Sequence, residues 1–418
     1  MDKTIGILLV AYIVLQVIKY WLDIINIGHM KKCGAKIPAG FESFIDEAVL
    51  KRTHAYTLEH NTFSLVESLF SSIITLLFVF GGLLGRYASW VSSLTDSFIL
   101  QGTGFFLFLS YASSLLSLPF SLYRTFRIED TYGFNTMTPK IWLTDFIKST
   151  LISSVLMIVV LACAFWIVQK SPDQWWFFAW GFFFVFSMFM MYISPYVIEP
   201  LFNKFTPLEG GDLEKKITTM MQQTGIRVSR VFTIDASRRS QHTNAYFTGL
   251  GRTKRIVLYD TLISKMEENE VLAVLAHEAG HWKKKHVLKM IMIFEALSLA
   301  GAYASFRVLK SGILADAFGL PNNAFFAELV ILAFVFSIVS FPATPLFSAL
   351  SRRHEREADK FAVGLAPVPE ALATSLIKLS KDNLSNLHPH PWYAAVYYSH
   401  PPVVKRVREI HELAAQVS

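Results

Sequence analysis

The stretch LAHEAGHWKKKH, residues 275–286, stands where two kinds of chain meet. It closes a polar stretch that begins near residue 200, and an apolar run, 287–309, starts at once behind it. It carries two histidines four residues apart, His277 and His281, and ends in three consecutive lysines and a further histidine. The fold turns on whether this segment lies in the bilayer or at its surface. Of the 418 residues, 53% are hydrophobic and 17% charged, with 36 Phe and 9 Trp. That composition is too apolar for a soluble domain of this length and marks a polytopic membrane protein.

A bilayer core requires about 20 mostly apolar residues per helix. Seven segments qualify, at roughly 4–25, 64–85, 99–122, 150–169, 174–198, 287–309 and 325–349, with only KSPD between the fourth and fifth. The opening MDKTIGILLVAYIVLQVIKYWLDII has no short apolar core followed by a small-residue cleavage site, and reads as an uncleaved first span. The net charge of +7 comes from basic residues beside apolar runs, which indicates juxtamembrane anchoring and not nucleic-acid binding. Loops on the N-terminal side hold Lys3, Arg86, Lys170, Arg307 and Lys310. The opposite side holds Lys31, Lys32, Lys36, Lys51, Arg52, Arg124, Arg127 and Lys140, and both long polar stretches. By the positive-inside rule those stretches are cytoplasmic. The chain then divides into 1–199 with five spans, 200–286 as a catalytic domain, 287–350 with two spans, and 351–418 as a cytoplasmic segment.

Within 200–286, VSRVFTID and KRIVLYD read as short strands, NAYFTGLG as a third, and GLGRTK as the turn between the last two. EENEVLAVLAHEAGHWKKKH reads as a helix, acidic in its first turn and basic in its last, as the helix dipole favours. On a helix, His277 and His281 project from one face and can share one ion. Glu278, beside the first of them, can hold a water that the metal polarises. The two cysteines, Cys33 and Cys163, are far apart, so a metal must be held by histidines and carboxylates.

A catalytic zinc needs a third protein ligand and an open fourth position. SRRHEREADKFA, 351–362, follows the last apolar run and offers Glu355 and Asp359 on one helical face. Glu355 reads as the ligand and Asp359 as an acceptor for a histidine N–H. Glu357 points away from that face and is the weaker choice, with His354 and His286 as rivals. Glu67, Glu295 and Glu328 fall within spans, with Asp145 and Lys148 at a boundary; they line a chamber or mark an ion pathway. The run WWFFAWGFFFVF, 175–186, reads as lipid-facing.

With these segments in view, the chain resembles the type I CAAX prenyl endopeptidases, integral-membrane zinc metalloproteases. The resemblance spans nearly the whole length. It rests on FRIEDTYGFN (126–135), IEPLFNKFTPLEGGDL (198–213), HTNAYFTGLGRTKRIVLYDTL (242–262), LAHEAGHWKKKH, SRRHEREADKFA and YSHPPVVKR (398–406). The family implies an α-helical polytopic fold: seven transmembrane helices enclosing a chamber, with a small α+β zincin-like domain on the cytoplasmic side. It implies one zinc ion held by His277, His281 and Glu355, with Glu278 as general base. It also implies supporting roles for Asn244, His400 and Arg406. NAYF as a free edge strand would bind an extended substrate, with Asn244 adding an amide contact. His400 would donate to the oxyanion; Arg406 would orient Glu355 or bind a substrate carboxylate. Without the family, His400 reads as a residue leading into a helix and Arg406 as a solvated charge.

The expected substrate is a peptide or protein trimmed at its C-terminal CAAX tripeptide, prenylated or not, with the bilayer as the other partner and no oligomer required. A bacterial homologue would instead serve membrane-protein quality control. A transporter or channel with a regulatory metal site is the reading from another class, and leaves the peptidase spacings of Glu278, Glu355 and Asp359 unexplained. An intramembrane protease would place HEAGH inside an apolar span, against which EENE and KKKH argue. The tail HELAAQVS holds no retention signal, so both a bacterial inner membrane and the endoplasmic reticulum stay open.

Overall fold

The computed structural model describes residues 3–208, 211–249, 253–321 and 324–417. Among the described residues seven helices are long and apolar enough to cross a membrane, and each overlaps one of the seven apolar segments. Five come first: α1 (Lys3–Cys33), α2 (Glu47–Phe80), α4 (Phe98–Tyr123), α5 (Pro139–Lys170) and α6 (Trp175–Val197), with a short α3 (Leu83–Ser92) after α2. At 1.5 Å per residue the 34 residues of α2 run roughly 50 Å, well past the ~30 Å hydrocarbon core. The apolar window locates only the part inside the bilayer; the polar start, capped by Asp46 on Val49 N at 2.8 Å, stands clear of it.

The second span ends earlier than its apolar run, at Phe80 and not near 85. Gly81 and Gly82 follow, and Gly82 takes a left-handed φ of 75°, which glycine adopts without a Cβ penalty. α4 continues through a π-helical turn, Arg124–Glu129, into FRIEDTYGFN. In the most apolar windows of the first six spans, 0–17% of residues are buried. Helices packed tightly in a bundle bury a stripe of roughly a quarter or more of their surface. Most residues in these six windows therefore stay accessible at the surface of their helices. From 175–186 only Ala179 is buried, and Phe177, Phe178 and Phe183 lie exposed on the apolar surface.

The polar unit follows: β1 (Phe205–Pro207), α7 (Asp212–Gln223), β2 (Arg227–Ile234), β3 (Ala245–Thr248), β4 (Thr253–Tyr259), α8 (Asp260–Lys265) and α9 (Glu268–Lys283). The sheet order is β1-β2-β4-β3, with β2 and β4 parallel and both outer strands antiparallel to their neighbours. Among the described residues β3 pairs with β4 alone and presents a free edge, as expected of NAYF. Residues 250–252 of the expected GLGRTK turn lie outside the described residues. β1, three residues long, went unread in the sequence.

α9 starts at a capping box formed by Glu267 and Glu270 and ends at Lys283, two residues short of the last lysine in the expected helix. Lys285 then adopts φ 55° and ψ 36°, and α10 (His286–Lys310) begins. A left-handed residue other than glycine costs on the order of 1 kcal/mol. α11 (Ile313–Phe318) and α12 (Phe325–Ser340) follow, and a 3₁₀ turn at Phe341–Ala343 leads α12 into α13 (Thr344–Leu365). SRRHEREADKFA thus lies on a helix continuous with the last span. α14 (Ala371–Asp382), α15 (Pro391–Tyr397) and α16 (Val403–Val417) complete the chain.

The hydrophobic core crosses the division made from sequence. Around Leu272, Leu275 and Ala276 of α9 it gathers Ile256 and Leu258 of β4, Ala362 of α13, Leu372 of α14 and Ile410 of α16, together with Phe41 and Ile45. The stretches 200–286 and 351–418 are therefore one packed unit. It is tied to the membrane helices through Arg239, whose Nε donates to Asp145 Oδ2 at 2.7 Å, and through Thr136 Oγ1, which donates to Ser237 O at 2.8 Å.

Candidate metal centre

α9 and α13 meet on small residues. Ala279, Ala358 and Ala362 are fully buried, and a Cβ on Gly280 would stand 3.0 Å from Ala358 Cα. This close approach sets Glu355 against the histidines of α9. His277 Nε2 and His281 Nε2 are 3.1 Å apart. Glu355 Oε2 is 3.4 Å from the first and Oε1 3.2 Å from the second. One donor atom from each of the three residues can be chosen so that all lie within 4.8 Å of one another.

The outer nitrogens have partners of their own. His277 Nδ1 donates to Asp359 Oδ1 at 2.8 Å, and Arg406 closes on Asp359 from behind. His281 Nδ1 faces His286 Nδ1 at 3.2 Å. With both rings donating outward from Nδ1, the Nε2 lone pairs face each other, an arrangement that a cation relieves; Arg406 Nη2 also lies 3.2 Å from His277 Nε2. Glu355 Oε2 is buried and accepts no hydrogen bond, a costly state for a carboxylate oxygen. Two lone pairs and one unsatisfied anionic oxygen fit a divalent metal.

Glu278 is half-buried one residue after His277. Burial pushes its carboxyl above the ordinary value, against the pull of His277 and His281. His400 Nε2 reaches 3.4 Å from Glu355 Oε1 while its side chain stays largely exposed, and its Nδ1 shares a hydrogen bond with Ser399 Oγ at 2.9 Å. Beside His400 and Arg406 opens a cavity of about 400 Å³, lined also by Leu379, Asn383, Tyr397 and Tyr398.

Arg406 is buried, not solvated, and its guanidinium serves Asp359 and approaches Glu355 Oε2 at 3.5 Å. Asn244 stands apart, exposed at the start of β3. It bonds Ala245 N through its side-chain oxygen and Tyr259 N through its backbone oxygen, and no hydrogen bond found among the described residues joins it to the ligand cluster.

His286 and His354, rivals for the third ligand in the sequence, stack on each other at 4.1 Å behind His281. His242 was overlooked, although it opens a quoted segment. Its ring stacks on Phe134 at 4.2 Å, and its nitrogens reach Asn383 Oδ1 at 2.9 Å and Glu129 Oε2 at 3.3 Å. Of the polar residues in the spans, Glu67 pairs with Arg124, Ser298 Oγ donates to Glu295 Oε2 at 3.4 Å, and Glu328 Oε2 is buried with no hydrogen-bond partner among the described residues.

Residues 26–204 match the CAAX prenyl protease N-terminal region of five membrane helices, and residues 207–414 match peptidase family M48. The CAAX prenyl protease 1 homolog of Arabidopsis thaliana is 33% identical, with 98% of this chain and 97% of that protein aligned. CAAX prenyl protease 1 of Saccharomyces cerevisiae is also 33% identical, over 91% of this chain and 89% of its own. The crystal structure of S. mikatae Ste24p matches with a TM-score of 0.90 at 29% identity, covering 96% of this chain and 98% of that one. The chain belongs to peptidase family M48 and is a multi-pass membrane metalloprotease, with the N-terminal region of the CAAX prenyl proteases.

Proposed function

We propose that the chain is a zinc endopeptidase that removes the C-terminal tripeptide of prenylated CAAX-type peptides at the cytoplasmic face of its membrane. The observation that carries the chemistry is the convergence of His277, His281 and Glu355, with the largely exposed His400 3.4 Å from Glu355 Oε1. Two imidazoles and one carboxylate are a donor set of hydrolytic zinc sites that keep a fourth position free. When bound, zinc supplies the Lewis acidity that acidifies a water and polarises a peptide carbonyl.

Glu278 takes the proton of the attacking water and passes it to the leaving amine. His400 donates to the oxygen that gains charge. Arg406, committed to Asp359, acts by orienting His277 and Glu355 and leaves the substrate carboxylate to other groups. The free edge of β3 receives an extended chain by main-chain pairing, and Asn244 adds a contact at its start. The functional division is into membrane regions 1–199 and 287–350 and a catalytic unit built from 200–286 and 351–418. Short-loop charges support the cytoplasmic side, in a bacterial inner membrane or the endoplasmic reticulum.

The substrate class rests on the names of the Arabidopsis and Saccharomyces relatives. Its test is mass spectrometry of products when the detergent-purified, zinc-supplied chain meets a farnesylated CAAX peptide and the same peptide unmodified. Tripeptide release from the farnesylated peptide alone is expected. Equal cleavage of both would overturn the prenyl requirement in favour of quality control, and cleavage indifferent to a chelator would overturn the zinc.

A further inference from the structure

We infer that His286, anchored by Glu357, is the positioning residue for His281, holding that ring with its Nε2 bare toward the metal position. The inference rests on the metal reading above. Had α9 run on, residue 286 would lie roughly 140° round the axis from His281 and face elsewhere. Lys285 prevents this. It is one of two left-handed residues other than glycine among those described, and its turn folds the first residue of α10 back onto the site. His286 arrives there 2% exposed, its Nδ1 3.2 Å from His281 Nδ1. Strain in the backbone is thus placed where it aims a side chain at a reactive centre.

The other edge of His286 is also held. Its Nε2 stands 3.2 Å from Glu357 Oε2, and Arg353 Nε donates to Glu357 Oε1 at 3.1 Å. His354 covers the ring face, with planes 10° from parallel. One placement of hydrogens satisfies the chain with neutral rings: Glu357 accepts from His286 Nε2–H, and His286 Nδ1 accepts from His281 Nδ1–H. The nitrogen left without hydrogen is His281 Nε2, which faces Glu355 and His277. Asp359 does the same for His277. Carboxylates of one helix, α13, therefore provide the ligand Glu355 and the anchors of both histidines, one directly and one through His286.

The experiment uses the full chain in detergent, stripped of metal and titrated with zinc against a chromophoric chelator, and with cobalt(II) for its visible absorption. His286→Phe keeps a ring on His354 and removes both nitrogens; zinc affinity is expected to fall roughly 10-fold or more, with an altered cobalt spectrum. His286→Asn, which returns an acceptor near the Nδ1 position, is expected to recover most of the loss. Glu357→Leu should weaken zinc in the same direction, and Glu357→Gln less, because its amide oxygen still accepts. Melting of the metal-free forms separates a general packing role, which would lower stability without changing the cobalt spectrum of the folded fraction. A metal-free His286→Phe chain that melts normally and binds zinc within about twofold of the unsubstituted chain overturns the inference. Should that variant fail to fold, Glu357→Leu decides by the same criterion. An unsubstituted chain that takes up no zinc removes the metal reading, and this inference with it.

Discussion

Arg406 closes on both oxygens of Asp359, Nε on Oδ2 and Nη2 on Oδ1, each at 2.6 Å. The residues are 7% and 3% exposed, so the pair is screened from water. Removing one partner of a buried pair leaves an uncompensated charge and costs about 3–5 kcal/mol. Arg406→Leu is expected to destabilise the catalytic unit by that order and to loosen the metal, since Asp359 also holds His277. Arg406→Lys keeps the charge and loses the fork, so its loss should be smaller. Thermal unfolding of the metal-free chain is the measurement. An unchanged melting temperature for Arg406→Leu would show that the pair carries no stability.

Glu278 is the one carboxylate on the α9 face near the histidines that the ligand cluster does not use. Glu278→Gln keeps its shape and removes its basicity. The expected outcome is a fall in turnover of roughly 10² to 10⁴ with zinc content unchanged. Metal analysis and peptide cleavage on one preparation check both halves. Normal cleavage would reassign the base, and lost zinc would move Glu278 into the ligand set.

His242 joins the end of the third long helix, the segment leading into β3 and the end of α14 through Phe134, Glu129 and Asn383. Burial pushes its imidazole down, but hydrogen bonds to Glu129 and Asn383 outweigh that, and its pKa stands above the ordinary value. A raised folded-state pKa means that the native chain binds the proton more tightly than the unfolded one. The added stability is full below about 6.5, the ordinary histidine value, and is lost as pH rises through the raised value. The melting difference between the unsubstituted chain and His242→Phe should therefore be widest in acid and shrink toward alkaline pH. A difference constant with pH would leave the ring stack as the whole contribution.

The spans were legible because hydrocarbon imposes a length and an apolar composition on each, and all seven segments recur as long helices. What projects beyond the bilayer obeys no such constraint, so the polar start of α2 at Glu47 carried no comparable signal. β1 is three residues held by pairing with one strand, and has no periodicity to read. At the site, His277 with His281 and Glu355 with Asp359 were readable from spacing alone, since each pair shares a helical face. Glu357 was judged to point away from Glu355, and helical angles support that. Its partner His286 enters from α10 by way of the left-handed Lys285, a backbone turn that lysine at that position does not announce. Apart from the family resemblance, which gives it a supporting role, Arg406 reads as solvated because helix α16 alone does not reveal that Asp359 lies across from it.

Gly280 makes the most local demand on the site's geometry. An added Cβ would meet Ala358 Cα at 3.0 Å, Ala358 O at 3.1 Å and Phe361 Cβ at 3.2 Å. Two of these atoms are helix backbone, which cannot rotate aside as a side chain end can. Gly280→Ala raises intrinsic helix propensity by up to about 1 kcal/mol, yet overpacking a tight contact typically costs 1–3 kcal/mol, so the steric effect wins. Relief requires α9 and α13 to separate, and that motion carries Glu355 away from His277 and His281, whose contacts are already 3.2–3.4 Å. Zinc affinity is therefore expected to fall more than the melting temperature of the metal-free chain. Chelator competition on Gly280→Ala measures the first and thermal unfolding the second. Zinc affinity equal to that of the unsubstituted chain would mean that α13 yields without moving Glu355, and that the small residues between the helices serve packing alone.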